Sequence, residues 1–188
     1  MKTRDVVLIA LFAALIVVLS LVPPIPLPAI PVPVTLQTLG TMLAGAMLGP
    51  LRGGLACLLY LVLAAIGLPV LPGGRGGLGV FFGPTGGFLV GMTLGAVVTG
   101  WLARQAAARV QRGGLAVAAY AAACVVGGIL LVYAVGVPWL AAVTQMELGK
   151  AALAVAAFVP GDLVKAVVAG WVAWRVERVW PLLRESPY

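Results

Sequence analysis

The chain has 188 residues, of which 63% are hydrophobic and only 9% are charged, whereas a soluble domain carries about 25% charged residues. This composition excludes a water-soluble globular domain. At roughly 20 residues per bilayer span the length allows five or six crossings and no separate soluble domain, so residues 1–188 read as one transmembrane unit. The absence of histidine removes the commonest metal ligand and general base, and the net charge of +7 raises a nucleic-acid partner that the positions of the charges must decide.

A short charged start, Met1 to Asp5, leads into an apolar run over about 6–22. A signal peptide has an apolar core of about 7–15 residues; this run is longer and proline follows it, so it reads as a retained first helix. "PPIPLPAIPVP" (23–33) lacks the N–H groups a helix needs and reads as an extended connector. A second helix is expected over about 35–48, broken by Gly49-Pro50, and a third over about 51–66, stopped before Pro69. Both are short for full spans, which calls for tilt, local thinning or burial among neighbours. "LPVLPGGRGGLGVFFGPTGG" (68–87) is a glycine-rich loop. A fourth helix follows over about 85–103, and "RQAAARVQR" after it reads as a basic connection. A fifth helix covers about 113–135 and Gly136-Val-Pro138 should break it. A less regular segment then leads to a sixth helix opening at Pro160, a favoured first helical position. Cys57 and Cys124 sit singly in apolar stretches and read as small buried hydrophobes, not as a disulfide or metal site.

Six crossings put both termini on one side. That side collects Lys2, Arg4, Arg52, Arg104, Arg109, Arg112, Arg175, Arg178 and Arg184, against Arg75 and Lys150 on the other, with Lys165 inside a span. The bias assigns the termini to the cytoplasm and accounts for the positive charge without nucleic acid. The expected fold is therefore an all-α integral membrane protein of six helices, with the proline and glycine loops on the outer side.

Asp162 and Lys165 lie three apart and share a helix face. Charges inside a membrane cost about 2.5–3.5 kcal/mol each at a helix centre. Asp162 lies in the first turn of the sixth helix, where the dipole favours an anion. Two readings stand: a polar floor for a ligand entering from outside, or a structural ion pair that locks helices. Arg75 suits a ligand carboxylate or is simply a solvated loop cation. Gly74, Gly76 and Gly79 match G-x-G-x-x-G, but a transmembrane helix precedes them where a strand is required, which rejects a dinucleotide site. Gly76 in the loop, with Thr85 and Gly86 at the opening of the fourth helix, offers backbone N–H groups to an acceptor, or Thr85 merely caps that helix. Thr35, Gln37, Thr38 and Thr41 cluster at the outer end of the second helix, with Gln37 and Thr41 on one face; they line a pocket or bond neighbouring helices. Ala10 and Ala14, four apart, allow close approach of another helix, although such spacing arises by chance in an alanine-rich chain. No nucleophile–base or metal set exists, which disfavours an intramembrane enzyme.

"PVPVTLQTLG" (31–40), "YLVLAAIGLPV" (60–70), "GGRGGLGVFFGPTGGF" (73–88) and "VPGDLVKA" (159–166) together resemble the BioY family, the biotin-specific substrate-binding (S) components of energy-coupling-factor transporters. The resemblance implies a multi-pass plasma-membrane protein with the six-helix S-component fold and an outward-facing biotin site. It implies partners as well, a transmembrane coupling (T) subunit and two ATPase subunits, and no cofactor. The family's G-D-x-x-K motif falls on Gly161, Asp162 and Lys165. Asp162 is then expected to accept from the ureido N–H groups of biotin and Lys165 to serve the carbonyl, with the valerate carboxylate on Arg75 or the glycine-loop N–H groups; in a second pose Lys165 meets the carboxylate. Phe81, Phe82, Tyr133 and Trp139 are the candidate aromatic walls, of which Tyr133 is carried forward. The A-x-x-x-A of the first helix, implied to meet the coupling subunit, falls on Ala10 and Ala14.

Overall fold

The computed structural model describes residues 2–27, 30–110 and 113–183. Arg112 and Arg184, both counted above among the inner cations, lie outside the described residues. Helix α1 (Thr3–Leu21) ends because Val22 precedes Pro23 and takes an extended conformation (φ −59°, ψ 132°). The proline run is extended, as expected, but it is also paired: β1 (Ile25–Leu27) and β2 (Ile30–Val34) form an antiparallel hairpin with Ile25 opposite Val34. Each strand of a two-stranded ribbon has one unpaired edge, which is where proline is tolerated. Among the described residues the chain is mostly helical with one small hairpin, a correction to the all-α expectation.

Helices α2 (Gln37–Leu48) and α3 (Pro50–Ala65) meet at Gly49, whose φ of 83° allows the reversal that proline then continues as the first residue of α3. In the glycine loop a turn through Gly73 and Gly74, both at positive φ, brings Leu71 and Arg75 into a backbone bridge, and a short helix α4 (Gly79–Phe82) follows. Helix α5 (Gly86–Arg109) runs past the expected stop: Arg104 and Arg109 are helical, and Arg109 lies in the last turn, where a cation complements the carbonyl end. The break expected at Gly136-Val-Pro138 is absent. Helix α6 (Gly113–Val125), a π-helical segment (Val126–Leu131) and helix α7 (Val132–Thr144) form one continuous 32-residue helix, with Pro138 inside it. Membrane helices tolerate such a proline because neighbours and local adjustments satisfy the freed carbonyl. The segment expected to be irregular holds helix α8 (Leu148–Ala156), bent by 54° against helix α9 (Val159–Val179).

By length and composition, three helices among the described residues can cross a bilayer (α1, α5 and the α6–α7 rod), and the bent α8–α9 pair makes a fourth. Helix α2, at 12 residues, rises about 18 Å at 1.5 Å per residue, short of a hydrocarbon core of about 30 Å. It packs against α1, α3, α5 and α9 and buries Gln37, Thr41, Met42, Ala44 and Leu48, so its neighbours shield it from lipid. Small residues let α6 and α9 approach closely: a Cβ on Gly170 would come within 2.5 Å of the Ala121 nitrogen. At the N-terminal ends of α1 and α3, Arg52 and Asp5 form a buried ion pair of 2.7 Å. Arg52 thus ties two helices together.

Candidate functional site

The opening of α9 places Asp162 in its first turn, with its backbone N–H donating to the Phe158 carbonyl at 2.9 Å. Asp162 is 4% exposed, and both of its carboxylate oxygens accept hydrogen bonds. Oδ1 accepts from Lys165 Nζ at 2.8 Å and from Thr38 Oγ1 at 3.3 Å, and Oδ2 accepts from the Tyr133 hydroxyl at 2.5 Å. Lys165, one turn further on, also donates to the Thr35 carbonyl at 2.6 Å and to Thr38 Oγ1 at 3.1 Å. An ammonium has three protons, and this one faces three acceptors. The network joins α9 to α7, to α2 and to Thr35 at the root of the proline hairpin. Charge compensation and complete hydrogen bonding are what make two buried charges tolerable.

Asp162 forms part of the wall of a cavity with about 630 Å³ of empty space, its open mouth included. The other polar groups on the wall are Thr35, Gln37, Thr38, Arg75, Thr85 and Tyr133. The rest is apolar, with Val32, Pro33 and Val34 from the hairpin facing Phe88, Met92 and Phe158. The Phe88 and Tyr133 rings stand in an edge-to-face arrangement, 6.4 Å between centroids and 79° between planes, which helps to fix the phenol's direction.

Of the residues singled out in the sequence, Asp162, Arg75, Gln37, Thr85 and Tyr133 come together around this cavity. Arg75 is exposed, and its Nε donates to the Pro72 carbonyl at 3.1 Å. Gln37 is buried and its amide donates to the Met92 thioether at 3.3 Å, a weak acceptor. Thr85 makes no side-chain capping bond, so its hydroxyl is not spent on α5. Lys165 lies behind Asp162, off the wall. Thr41 bonds the Thr38 carbonyl of its own helix at 2.9 Å. Gly76 packs on the Leu68 carbonyl and Gly86 on that of Phe81, and the Gly86 N–H is bonded to Gly83 at 3.0 Å; none of these three residues lines the cavity. Among the four candidate aromatics only Tyr133 does. Phe82 is 73% exposed, and Trp139 Nε1 pins the glycine loop by donating to the Gly83 carbonyl at 2.9 Å. Sequence reasoning missed Phe88, Met92 and Phe158; the four-residue spacing of Phe88 and Met92 on one helix face was the available signal. Ala10 and Ala14 are exposed on α1, flanked by exposed Val7, Leu11 and Val18.

A mostly apolar cavity with one buried carboxylate in its wall, held from behind by a lysine and set among apolar helices, is the build of a membrane protein that holds a small solute. The chain belongs to the BioY family, whose sequence profile matches residues 1–182. A biotin transporter BioY of Rhizobium etli is 51% identical, over 97% of this chain and 98% of its own length. A probable biotin transporter BioY of Bacillus subtilis is 43% identical, over 97% of this chain and 95% of its own. The fold matches the crystal structure of the S-component for biotin from an ECF-type ABC transporter, with a TM-score of 0.88 and 30% identity over 95% of both chains.

Proposed function

We propose that the chain is the biotin-binding S subunit of an energy-coupling-factor uptake transporter. It captures biotin from outside and delivers it with a T subunit and two ATPase subunits, which hydrolyse the ATP. In this reading it is a multi-pass plasma-membrane protein with six crossings, α2 and α3 counted among them, and cytoplasmic termini. The hairpin and the glycine loop then lie outside, around the cavity mouth. The observation that carries the proposal is the Asp162 carboxylate, buried yet part of the wall of an otherwise apolar cavity. Biotin has matching chemistry: a cyclic urea with N–H donors, an apolar bicycle and a carboxylate tail. Asp162 accepts a ureido N–H, the apolar walls take the bicycle, and Arg75 meets the carboxylate. Ala10 and Ala14 contact the T subunit.

The second reading, a membrane subunit in which Asp162 and Lys165 only lock helices, draws on the complete engagement of the Lys165 ammonium. Calorimetric titration of biotin into the detergent-purified protein separates the two. One saturable site is expected, lost in Asp162→Asn while the variant stays folded and monodisperse. No heat from the unaltered protein up to millimolar biotin overturns the transport reading.

A further inference from the structure

The two hydrogen-bonding atoms of a cyclic urea are not independent. Each N–H is bonded to the carbonyl carbon, so N–H and C=O present a donor and an acceptor side by side on one edge. A site that reads such an edge needs an acceptor and a donor equally close together. Lys165 is the obvious donor by charge, but its three protons face Thr35, Thr38 and Asp162 and it does not line the cavity. Thr38 Oγ1 has a single proton and sits between Lys165 and Asp162 Oδ1, on the other oxygen of the carboxylate from Tyr133. The Gln37 amide lies against Met92. The remaining donor at the carboxylate is the hydroxyl of Tyr133, a residue that lines the cavity, 2.5 Å from Asp162 Oδ2.

Resting on the biotin reading above, we infer that Asp162 Oδ2 and the Tyr133 hydroxyl together form the acceptor–donor pair that reads the ureido edge: Oδ2 accepts the N–H, and Tyr133 donates to the carbonyl oxygen beside it. In the empty site the phenol donates to the carboxylate. On binding, the ureido N–H replaces it there, and rotation about the phenolic C–O bond turns the freed proton to the ligand. The carboxylate exchanges one donor for another, so no buried polar group is left unsatisfied at either stage. Edge packing on Phe88 holds the ring while the proton moves. Lys165 is then a positioning residue, fixing Asp162 and the hairpin root at Thr35. Tyr133 becomes a specificity residue, selecting a urea oxygen over a weaker acceptor.

The test compares biotin with its thiourea analogue, which keeps both N–H groups and replaces the oxygen by sulfur, a weak acceptor. The unaltered protein is expected to prefer biotin by about tenfold or more, the loss of about one hydrogen bond. Tyr133→Phe is expected to weaken biotin by a similar factor and the thiourea analogue by much less, collapsing the preference. If Tyr133→Phe weakens both ligands equally, the hydroxyl only orients Asp162 and the inference is wrong. If the unaltered protein binds the two with equal affinity, no donor serves the oxygen and the inference is wrong whatever the variant does. Failure of biotin itself to bind would overturn the transport reading instead, so the two failures are distinct.

Discussion

At the scale of single residues, the question is whether two buried charges serve a ligand or each other. Asp162 and Lys165 are 4% and 8% exposed, and an uncompensated buried charge costs about 3–5 kcal/mol. Asp162→Asn leaves the Lys165 ammonium without its counter-ion, and Lys165→Met leaves the Asp162 carboxylate with only two hydroxyl donors. Each single variant is expected to lower the melting temperature in detergent clearly. The double variant Asp162→Asn/Lys165→Met removes both charges and is expected to recover most of the loss, because buried ion pairs are often replaceable without net destabilisation. It should still bind no biotin, since the amide that replaces the carboxylate is not a charged acceptor. Recovery of stability together with biotin binding would show that the couple is scaffolding and that the site lies elsewhere in the cavity. Asp162 was legible in the sequence because a charge so costly demands a reason. The anchor of Lys165 was not: the Thr35 carbonyl that holds it lies 130 positions away, and backbone carbonyls leave no mark in residue type.

At the scale of elements, the site depends on how α5 meets the α6–α7 rod. Gly87, Gly91 and Gly95 lie four apart on α5 and face Trp139, Val132 and Gly127 in turn. A Cβ on Gly91 would come 3.0 Å from the Val132 carbonyl, and one on Gly95 would reach the Gly127 carbonyl at 2.5 Å. This stripe lets α5 lie against the π segment, and the wider π turn sets the rotation of Val132 and Tyr133 that follow it. Gly95→Leu is expected to lower stability by about 1–3 kcal/mol or more through overpacking and to weaken biotin binding along with it. Gly149→Ala, on α8 with open space around its Cα, should leave biotin binding unchanged. A Gly95→Leu protein with unchanged melting temperature and affinity would remove the stripe from the account. The same elements explain what the sequence hid. Helix ends marked by Pro23, Gly49-Pro50 and Gly67 were readable because the signal is local. The pairing of the proline run was not, since strand partnership is a tertiary fact. Pro138 misled because it reads as a breaker in water, whereas packed membrane helices accommodate it. Tyr133 stood as one aromatic among four because the π segment, invisible in composition, decides which ring points inward.

At the scale of the whole molecule, the cavity and the exposed alanine face of α1 lie on different parts of the bundle. The cavity is enclosed by the hairpin, the glycine loop, α2, α5, α7 and the start of α9. Helix α1 contributes nothing to its wall and instead exposes Val7, Ala10, Leu11, Ala14 and Val18 along one face. The two alanines make a shallow seam between larger apolar side chains, a shape that admits a helix from another chain. The buried Asp5–Arg52 pair at 2.7 Å fastens the N-terminal end of α1 to α3, so the seam is held on a rigid support. In lipid there is little hydrophobic gain from joining helices, and close packing at small residues supplies much of the attraction. A bulky side chain in the seam should therefore be decisive. Ala10→Trp, produced together with a T subunit and its ATPases, is expected to lose co-purification with them while binding biotin with unchanged affinity in calorimetry. Retained co-purification would take Ala10 out of the contact. Loss of biotin binding as well would mean that α1 and the cavity are mechanically coupled, against the separation of surfaces argued from the fold.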